Sequence, residues 1–153
     1  MTNLDYFYGS RFVFPLRPIA LNSATVTNGV AISLNKGISY AYCLKVSNWV
    51  SGSIQIQDIQ VADDNAFTIN VTTFSASLNP EQVLGNDRAS IVDAFTQTLL
   101  SADGEKVISF RSLGRESQAY VRIRLVTTGT VDLTAEVVGV KLENEQPINP
   151  VQG

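Results

Sequence analysis

No histidine occurs in the 153-residue chain, and cysteine occurs once, as Cys43. Without an imidazole there is no Ser-His-Asp or Cys-His nucleophile, and the commonest protein metal ligand is missing. A lone thiol makes no intramolecular disulfide and no cysteine-rich zinc site. Within the apolar run Tyr40 to Val46 it is expected to be a small core residue. Neither Gly-x-x-x-x-Gly-Lys-Ser/Thr nor Gly-x-Gly-x-x-Gly is present, so the common phosphate cradles are excluded. Charge is sparse as well, at 16% of residues, with a net charge of -3 and a pI near 4.8. That leaves no general basic field for nucleic acid. No apolar run approaches membrane-spanning length, and "MTNLDYFYGSRFVF" has no basic segment followed by an apolar one, so a soluble protein made in a cytoplasm is expected.

The composition is nonetheless that of a folded domain. Hydrophobic residues make up 44% of the chain, enough for a real core, and one domain is the default at this length. The few charges are unevenly placed. Residues 1–50 carry Arg11, Arg17, Lys36 and Lys45 against Asp5 alone, whereas residues 51–110 carry eight acids against Arg88 and Lys106. A basic front and an acidic middle suit an arm that docks on an acidic neighbour, and also suit a merely solvated surface.

Short alternating segments recur from about residue 23 to 142. In "AYVRIRLVTTGTVDLTAEVVGVKL" (119–142), Val121, Ile123 and Leu125 share one face and Arg122 and Arg124 the other. Thr-Thr-Gly-Thr then predicts a hairpin turn, after which Val131, Leu133, Ala135 and Val137 share a face. At Val137-Val138 the apolar parity passes to Val138, Val140 and Leu142, which predicts a β-bulge. Upstream, Val30, Ile32 and Leu34 alternate after Asn28-Gly29, and the Asn35-Lys36-Gly37 turn leads to Tyr40, Tyr42, Leu44 and Val46, a second expected hairpin. In "GSIQIQDIQV" the parity changes from Ile54 and Ile56 to Ile59 and Val61, marking another bulge near Gln57-Asp58. After the Ala62-Asp63-Asp64-Asn65 turn, Phe67, Ile69, Val71 and Thr73 alternate, and "EKVISF" follows the turn signal Asp103-Gly104. Between these, Asn79-Pro80-Glu81-Gln82 predicts one or two helical turns ending at Gly85, and "SIVDAFTQTLLS" is read as strand in preference to helix.

Both ends read as arms. Residues 1–20 gather Tyr6, Phe7, Tyr8, Phe12 and Phe14 around Arg11 and Arg17, with Pro15 and Pro18 discouraging regular pairing. These rings make the segment too apolar for a solvated tail, so burial against a partner is expected. "ENEQPINPVQG" (143–153), with Pro147 and Pro150, predicts an extended tail.

Chemistry that needs only carboxylates survives the absences. A two-carboxylate glycosidase is compatible with the composition, but nothing selects a pair. Asp58, Asp63 and Asp64 carry calcium-type oxygens at a spacing that matches no EF-hand loop, and acids in turns are usually turn formers. Asn70-Val71-Thr72 matches the glycosylation sequon, a match expected to be by chance because no secretory signal is expected. Trp49 with Tyr40 and Tyr42 would make a sugar-stacking platform if exposed; rings on alternating strands more often pack in a core.

The order of the pieces carries a resemblance. An alternating strand, then "IQIQDIQVADDNAFT", then "SLGRESQAYVRIRLVTTGTVDLTAEVVGVKL" resembles the small auxiliary capsid, or decoration, proteins of tailed bacteriophages. The matching features are Asp63, Asp64 and Phe67 after a Gln- and Asp-bearing strand; Gly114 and Arg115 leading into Tyr120 to Arg124; Thr128-Gly129; and the Ala- and Val-rich stretch Ala135 to Gly139. The likeness spans about residues 23–142. It implies a jelly-roll or related β-sandwich on the outer surface of the phage head, commonly a dimer or trimer, bracing major capsid subunits.

The expectation is therefore an all-β, antiparallel, jelly-roll-like sandwich of about eight strands, with an N-terminal arm at 1–20, the sandwich at 21–142 and a tail at 143–153. Its function is expected to be non-enzymatic, that of a capsid cement protein made in the bacterial cytoplasm, with the major capsid protein and its own copies (homodimer or homotrimer) as partners. No catalytic residue, cofactor, metal, nucleic acid, membrane or small-molecule substrate is expected. Partner contacts are assigned to Phe7, Tyr8, Arg11, Phe12, Phe14, Arg17, Arg122, Arg124, Pro147 and Pro150. The alternative is a glycan- or host-binding sandwich module on a tail or fibre.

Overall fold

The computed structural model describes residues 10–34, 39–75, 91–92, 99–112 and 119–142. They form an eight-stranded antiparallel sheet with no helix among the described residues, as alternation punctuated by turn residues predicts. The strands are β1 (Ser10–Leu21), β2 (Val26–Asn28), β3 (Ile32–Ser33), β4 (Ser39–Ala62), β5 (Thr72–Ser75), β6 (Ile91–Val92), β7 (Gly104–Ser112) and β8 (Tyr120–Leu142). The central pair is β4 and β8, of 24 and 23 residues, which lie antiparallel along almost their whole lengths.

The two long strands bend midway and so build both layers of a jelly-roll-like sandwich. In one layer the first part of β4 and the last part of β8 are flanked by β7 with β6 and by β1. In the other, the last part of β4 and the first part of β8 are flanked by β5 and by β2 and β3. At the bend the register shifts between Ser47 and Ser53, where Gly52 and Gly129 take positive φ of 88° and 86°. A Cβ on Gly52 would lie 2.9 Å from the Thr130 carbonyl oxygen, so the bend requires glycine for space as well as for φ.

Side chains from both halves meet in one apolar cluster. Tyr40, Tyr42, Leu44 and Val46 come from the first half of β4, Ile54, Ile56, Ile59 and Val61 from the second, and the odd-numbered residues Val121 to Leu125 and Val131 to Val137 from β8. Tyr40 stacks on Phe110 with centroids 5.0 Å apart, and Tyr42 meets Phe110 edge-on at 5.2 Å. Full burial of such rings contributes about 1.5–3 kcal/mol each. The Tyr40 hydroxyl donates to the Ser33 carbonyl across the layers, at 3.1 Å.

Several local expectations give way to this long-range pairing. Residues 127–130 make no hairpin turn: β8 runs straight through, each of its halves paired to β4. Thr127 is held within the strand, its amide donating to Thr25 and its hydroxyl to Ser23, so Gly129 bends the chain where a reversal was expected. The expected bulge at Val137-Val138 is absent from the β4 ladder, where Gly139, Val138 and Val137 pair in register with Tyr42, Cys43 and Leu44. The bulge near Gln57-Asp58 is present, between Ile56 and Asp58. The expected second hairpin is not one, because β3 pairs with β8 and not with β4. Residues 63–70 form a loop, leaving Ile69 and Val71 exposed, and β5 starts only at Thr72. Strand does occur at Ile91–Val92, while the helical turn expected near Asn79 lies outside the described residues.

The N-terminal arm also needs correction. Residues 10–20 belong to β1, paired with the end of β8 and burying Leu16 and Leu21 in the core. Pro15 and Pro18 are accommodated because the β1 register shifts between Val13 and Leu16 and again between Leu16 and Ile19. An edge strand tolerates a missing amide at such irregularities.

Candidate interaction surface

The two halves of the bent sheet carry different outer faces. In the half containing β2, β3 and β5, Arg124 of β8 stands opposite Asp58 of β4, and Arg122 stands opposite Gln60, which in turn stands opposite Thr73 of β5. The bulge at Gln57 puts Asp58 and Gln60 on this face. Arg124 donates Nε to Asp58 Oδ1 at 2.8 Å and a terminal nitrogen to Oδ2 at 2.7 Å, a two-pronged pair. The Asp58 side chain is only 4% exposed. Its hydrogen bond raises the pKa of the Arg124 guanidinium above the ordinary value; burial, and then the charge of Arg124, lower that of Arg122. Arg122 donates to Gln60 at 2.9 Å, Gln60 to Thr73 at 3.0 Å, and the Arg122 guanidinium lies 4.4 Å from the Phe67 ring centroid.

Phe67 belongs to a loop organised by two carboxylates. Asp64 accepts the Thr68 and Ile69 amides, both at 2.9 Å, and the Thr68 hydroxyl at 2.6 Å. These bonds, the hydroxyl's first, hold its carboxyl below the usual carboxylate range. Asp63 accepts the Asn70 side-chain amide. Of the acids considered for calcium, Asp58 is therefore paired with arginine, and Asp63 and Asp64 brace a turn.

The outer face of the other half is apolar. Phe12 of β1, Val140 of β8, Ala41 of β4 and Ser109 of β7 stand in one row across the sheet, and Val138, Cys43 and Val107 in the next. Phe12 is 74% and Val107 66% exposed. Val138, Cys43, Val107 and Val140 line a shallow depression of about 350 Å³. Cys43 is thus a half-buried residue of the outer face, not the core residue expected; burial, then the Glu105 charge, raise its thiol pKa. The following row is charged, with Glu136 opposite Lys45 and Lys45 opposite Glu105.

The residues assigned to partner contacts divide between these faces. Phe12, Phe14 and Arg17 lie exposed on β1 at the flank of the apolar face, with the Arg17 guanidinium 5.4 Å from the Phe14 ring centroid. The backbone of Arg11 pairs with Lys141 in the same strand. Arg122 and Arg124 are committed to intrachain bonds. Phe7, Tyr8, Pro147 and Pro150 lie outside the described residues. Sequence reading missed Ala41, Cys43, Val107, Val138 and Val140. Their signal was the parity change at Val137-Val138, which marks a strand apolar on both faces where a bulge was inferred. Nor is the sugar platform assembled: Tyr40 and Tyr42 are core residues, and Trp49 is half-buried at the bend, its indole N–H bonded to the Gly52 carbonyl at 2.8 Å.

No family model matches the chain, and no characterised relative matches it in sequence. Solved structures are similar to it in fold. The VP2 subviral particle of infectious bursal disease virus aligns with a TM-score of 0.50 at 10% identity, over 88% of this chain and 32% of VP2. The structure of the Gx strain of that virus aligns at 0.49, also at 10% identity, with the same coverage of 88% and 32%. TmCBM61, a structure in complex with β-1,4-galactotriose, aligns at 0.40 and 10% identity over 94% of this chain and 97% of its own. The chain thus spans about a third of the viral chains it matches, and the VP2 likeness establishes a shared β-sandwich fold.

Proposed function

We propose that this chain is a non-enzymatic virion structural protein, a decoration or cement protein that oligomerises on the outer surface of a tailed-phage head and braces major capsid subunits. The observation that carries the reading is the outer face of Phe12, Ala41, Cys43, Val107, Val138 and Val140: apolar surface across β1, β4, β7 and β8, with Phe12 and Val107 exposed and the others half-buried, suited to assembly. The order of the sequence features supports it, as does a sandwich fold shared with the VP2 subviral particle of infectious bursal disease virus.

The ends of the chain supply the contacts with the head. Ser10, the first residue of β1, pairs with Leu142, the last of β8, so the segments before and after the sandwich leave from one end of the sheet. Phe7 and Tyr8 belong to the segment that precedes this pair in sequence, and Pro147 and Pro150 to the segment that follows it. Deletion of residues 1–9 should preserve the fold and abolish binding to heads, measured by co-sedimentation with particles lacking the protein. Electron microscopy of the virion should show repeated, symmetric copies over the head. Copies confined to the tail tip would overturn the cement reading.

A further inference from the structure

We infer that the apolar outer face is closed by a second copy of this chain, related by a two-fold axis that runs along the strands and sets β1 of one protomer over β7 of its partner. This deepens the decoration reading and rests on it only in taking that face for an interface. The register carries the argument. The irregularity between Leu16 and Ile19 puts Arg17 at the level of Glu136, which stands opposite Lys45, which stands opposite Glu105. Across β1, β8, β4 and β7 the charges therefore alternate: positive, negative, positive, negative.

Such a row is complementary to itself in one orientation only. A two-fold axis along the strands reverses their order while keeping each row at its own level. Arg17 then meets the partner's Glu105, and Glu136 meets the partner's Lys45, each contact occurring twice. An axis across the strands at that level would lay each strand on its own copy and every charge on its like, which is costly. The favoured axis also brings Phe12 and Phe14 over the β7 flank that holds Val107, and Val138 over the partner's Cys43. Apolar rows and charged row are satisfied by the same operation.

The test uses the full chain without phage particles. Sedimentation velocity should show a dimer at micromolar concentration. Arg17→Glu and Glu105→Arg should each raise the dissociation constant about tenfold, and the combined variant should return to within about threefold of the original. Phe12→Asp should raise it about a hundredfold with the circular dichroism spectrum unchanged. Cys43, the chain's sole cysteine, should resist alkylation in the dimer and react on dilution. A monomer at every concentration, or a combined variant as weak as either single one, overturns the inference. So does deletion of residues 1–9 that exposes Cys43 without change of mass, because the chain's own N-terminal segment would then be the cover. Loss of head binding alone bears on the decoration reading and leaves the dimer standing.

Discussion

Both halves of the bent sheet contribute one apolar inner face to a common core, yet their outer faces solve opposite problems. In the β5 half, Arg124, Asp58, Arg122, Gln60 and Thr73 bond to one another. A partner docking there would gain little, since each group already has its bonds and would have to be desolvated to offer more. In the β7 half, Phe12, Val107, Val138 and Val140 have no such closure, and covering apolar surface returns roughly 25 cal/mol per Å². Charged residues at strand positions can thus be engaged within the sheet itself: Arg122 and Arg124, expected at a partner contact, bond to Gln60 and Asp58.

The largest effect should come from breaking the closed half. Arg124→Met leaves Asp58, whose side chain is 4% exposed, with the Gln57 amide at 3.2 Å as its remaining side-chain hydrogen bond among the described residues. A loss of about 3 kcal/mol in urea denaturation is expected, because the remaining carboxylate is buried without its counter-charge. The double substitution Asp58→Leu with Arg124→Met should recover to within about 1 kcal/mol of the original, since an apolar pair needs no partner. Phe12→Ser on the open half should change monomer stability by less than about 0.5 kcal/mol. Equal losses at the two sites would erase the distinction between the faces.

Next in size is the bend that separates the halves. Gly52→Ala places a Cβ 2.9 Å from both the Thr130 carbonyl oxygen and the Val131 Cα, at φ 88°. Destabilisation of about 2 kcal/mol or more is expected from thermal or urea unfolding. Gly129→Ala meets no atom nearer than the Gly52 Cα at 3.9 Å and should cost less, about 1 kcal/mol for the unfavourable φ alone.

The fold was legible to the extent that a single strand states its own geometry. The inward sets Val121, Ile123, Leu125 and Val131 to Val137, and the Gln57 bulge, follow from parity alone. What failed depended on which strand lies alongside. Thr-Thr-Gly-Thr has turn chemistry, but with β4 beside both halves of β8 the ladder outweighs the local preference. The β1 prolines suggested an arm because only the pairing with β8 shows where an irregular edge strand can absorb them. The candidate face is the least legible: Val138 and Val140 read as apolar, but parity alone does not separate a second apolar face from a displaced first one. Charge pairing across β1, β8, β4 and β7 needs three registers at once, which no local pattern contains.

A smaller effect lies beneath the open half. The Tyr42 hydroxyl is buried with no hydrogen-bond partner among the described residues, and burial holds its pKa far above the ordinary value. Tyr42→Phe removes an unsatisfied polar group while keeping the ring against Phe110. Stability should rise by about 1 kcal/mol in urea denaturation. A loss of that size would mean that the hydroxyl has a partner in the folded protein.

The smallest effect concerns the loop that ends the closed half. Asp64 is an exposed carboxylate whose folded pKa lies below its ordinary value of 3.8, chiefly through the Thr68 hydroxyl and then the Thr68 and Ile69 amides. A depressed folded value means that the contribution to stability is complete above the unfolded pKa and is lost as pH falls through the folded one. Exchange protection of the Thr68 and Ile69 amides should therefore persist at neutral pH and disappear only below the usual carboxylate range. Asp64→Asn should weaken that protection at neutral pH, releasing Phe67 from under Arg122 without touching the Arg124–Asp58 pair. The same variant should leave self-association unchanged, because the loop and the apolar rows lie on different halves. If Asp64→Asn shifts the dimer dissociation constant with the core intact, the two faces are coupled through β4 and β8 and cannot be treated as independent.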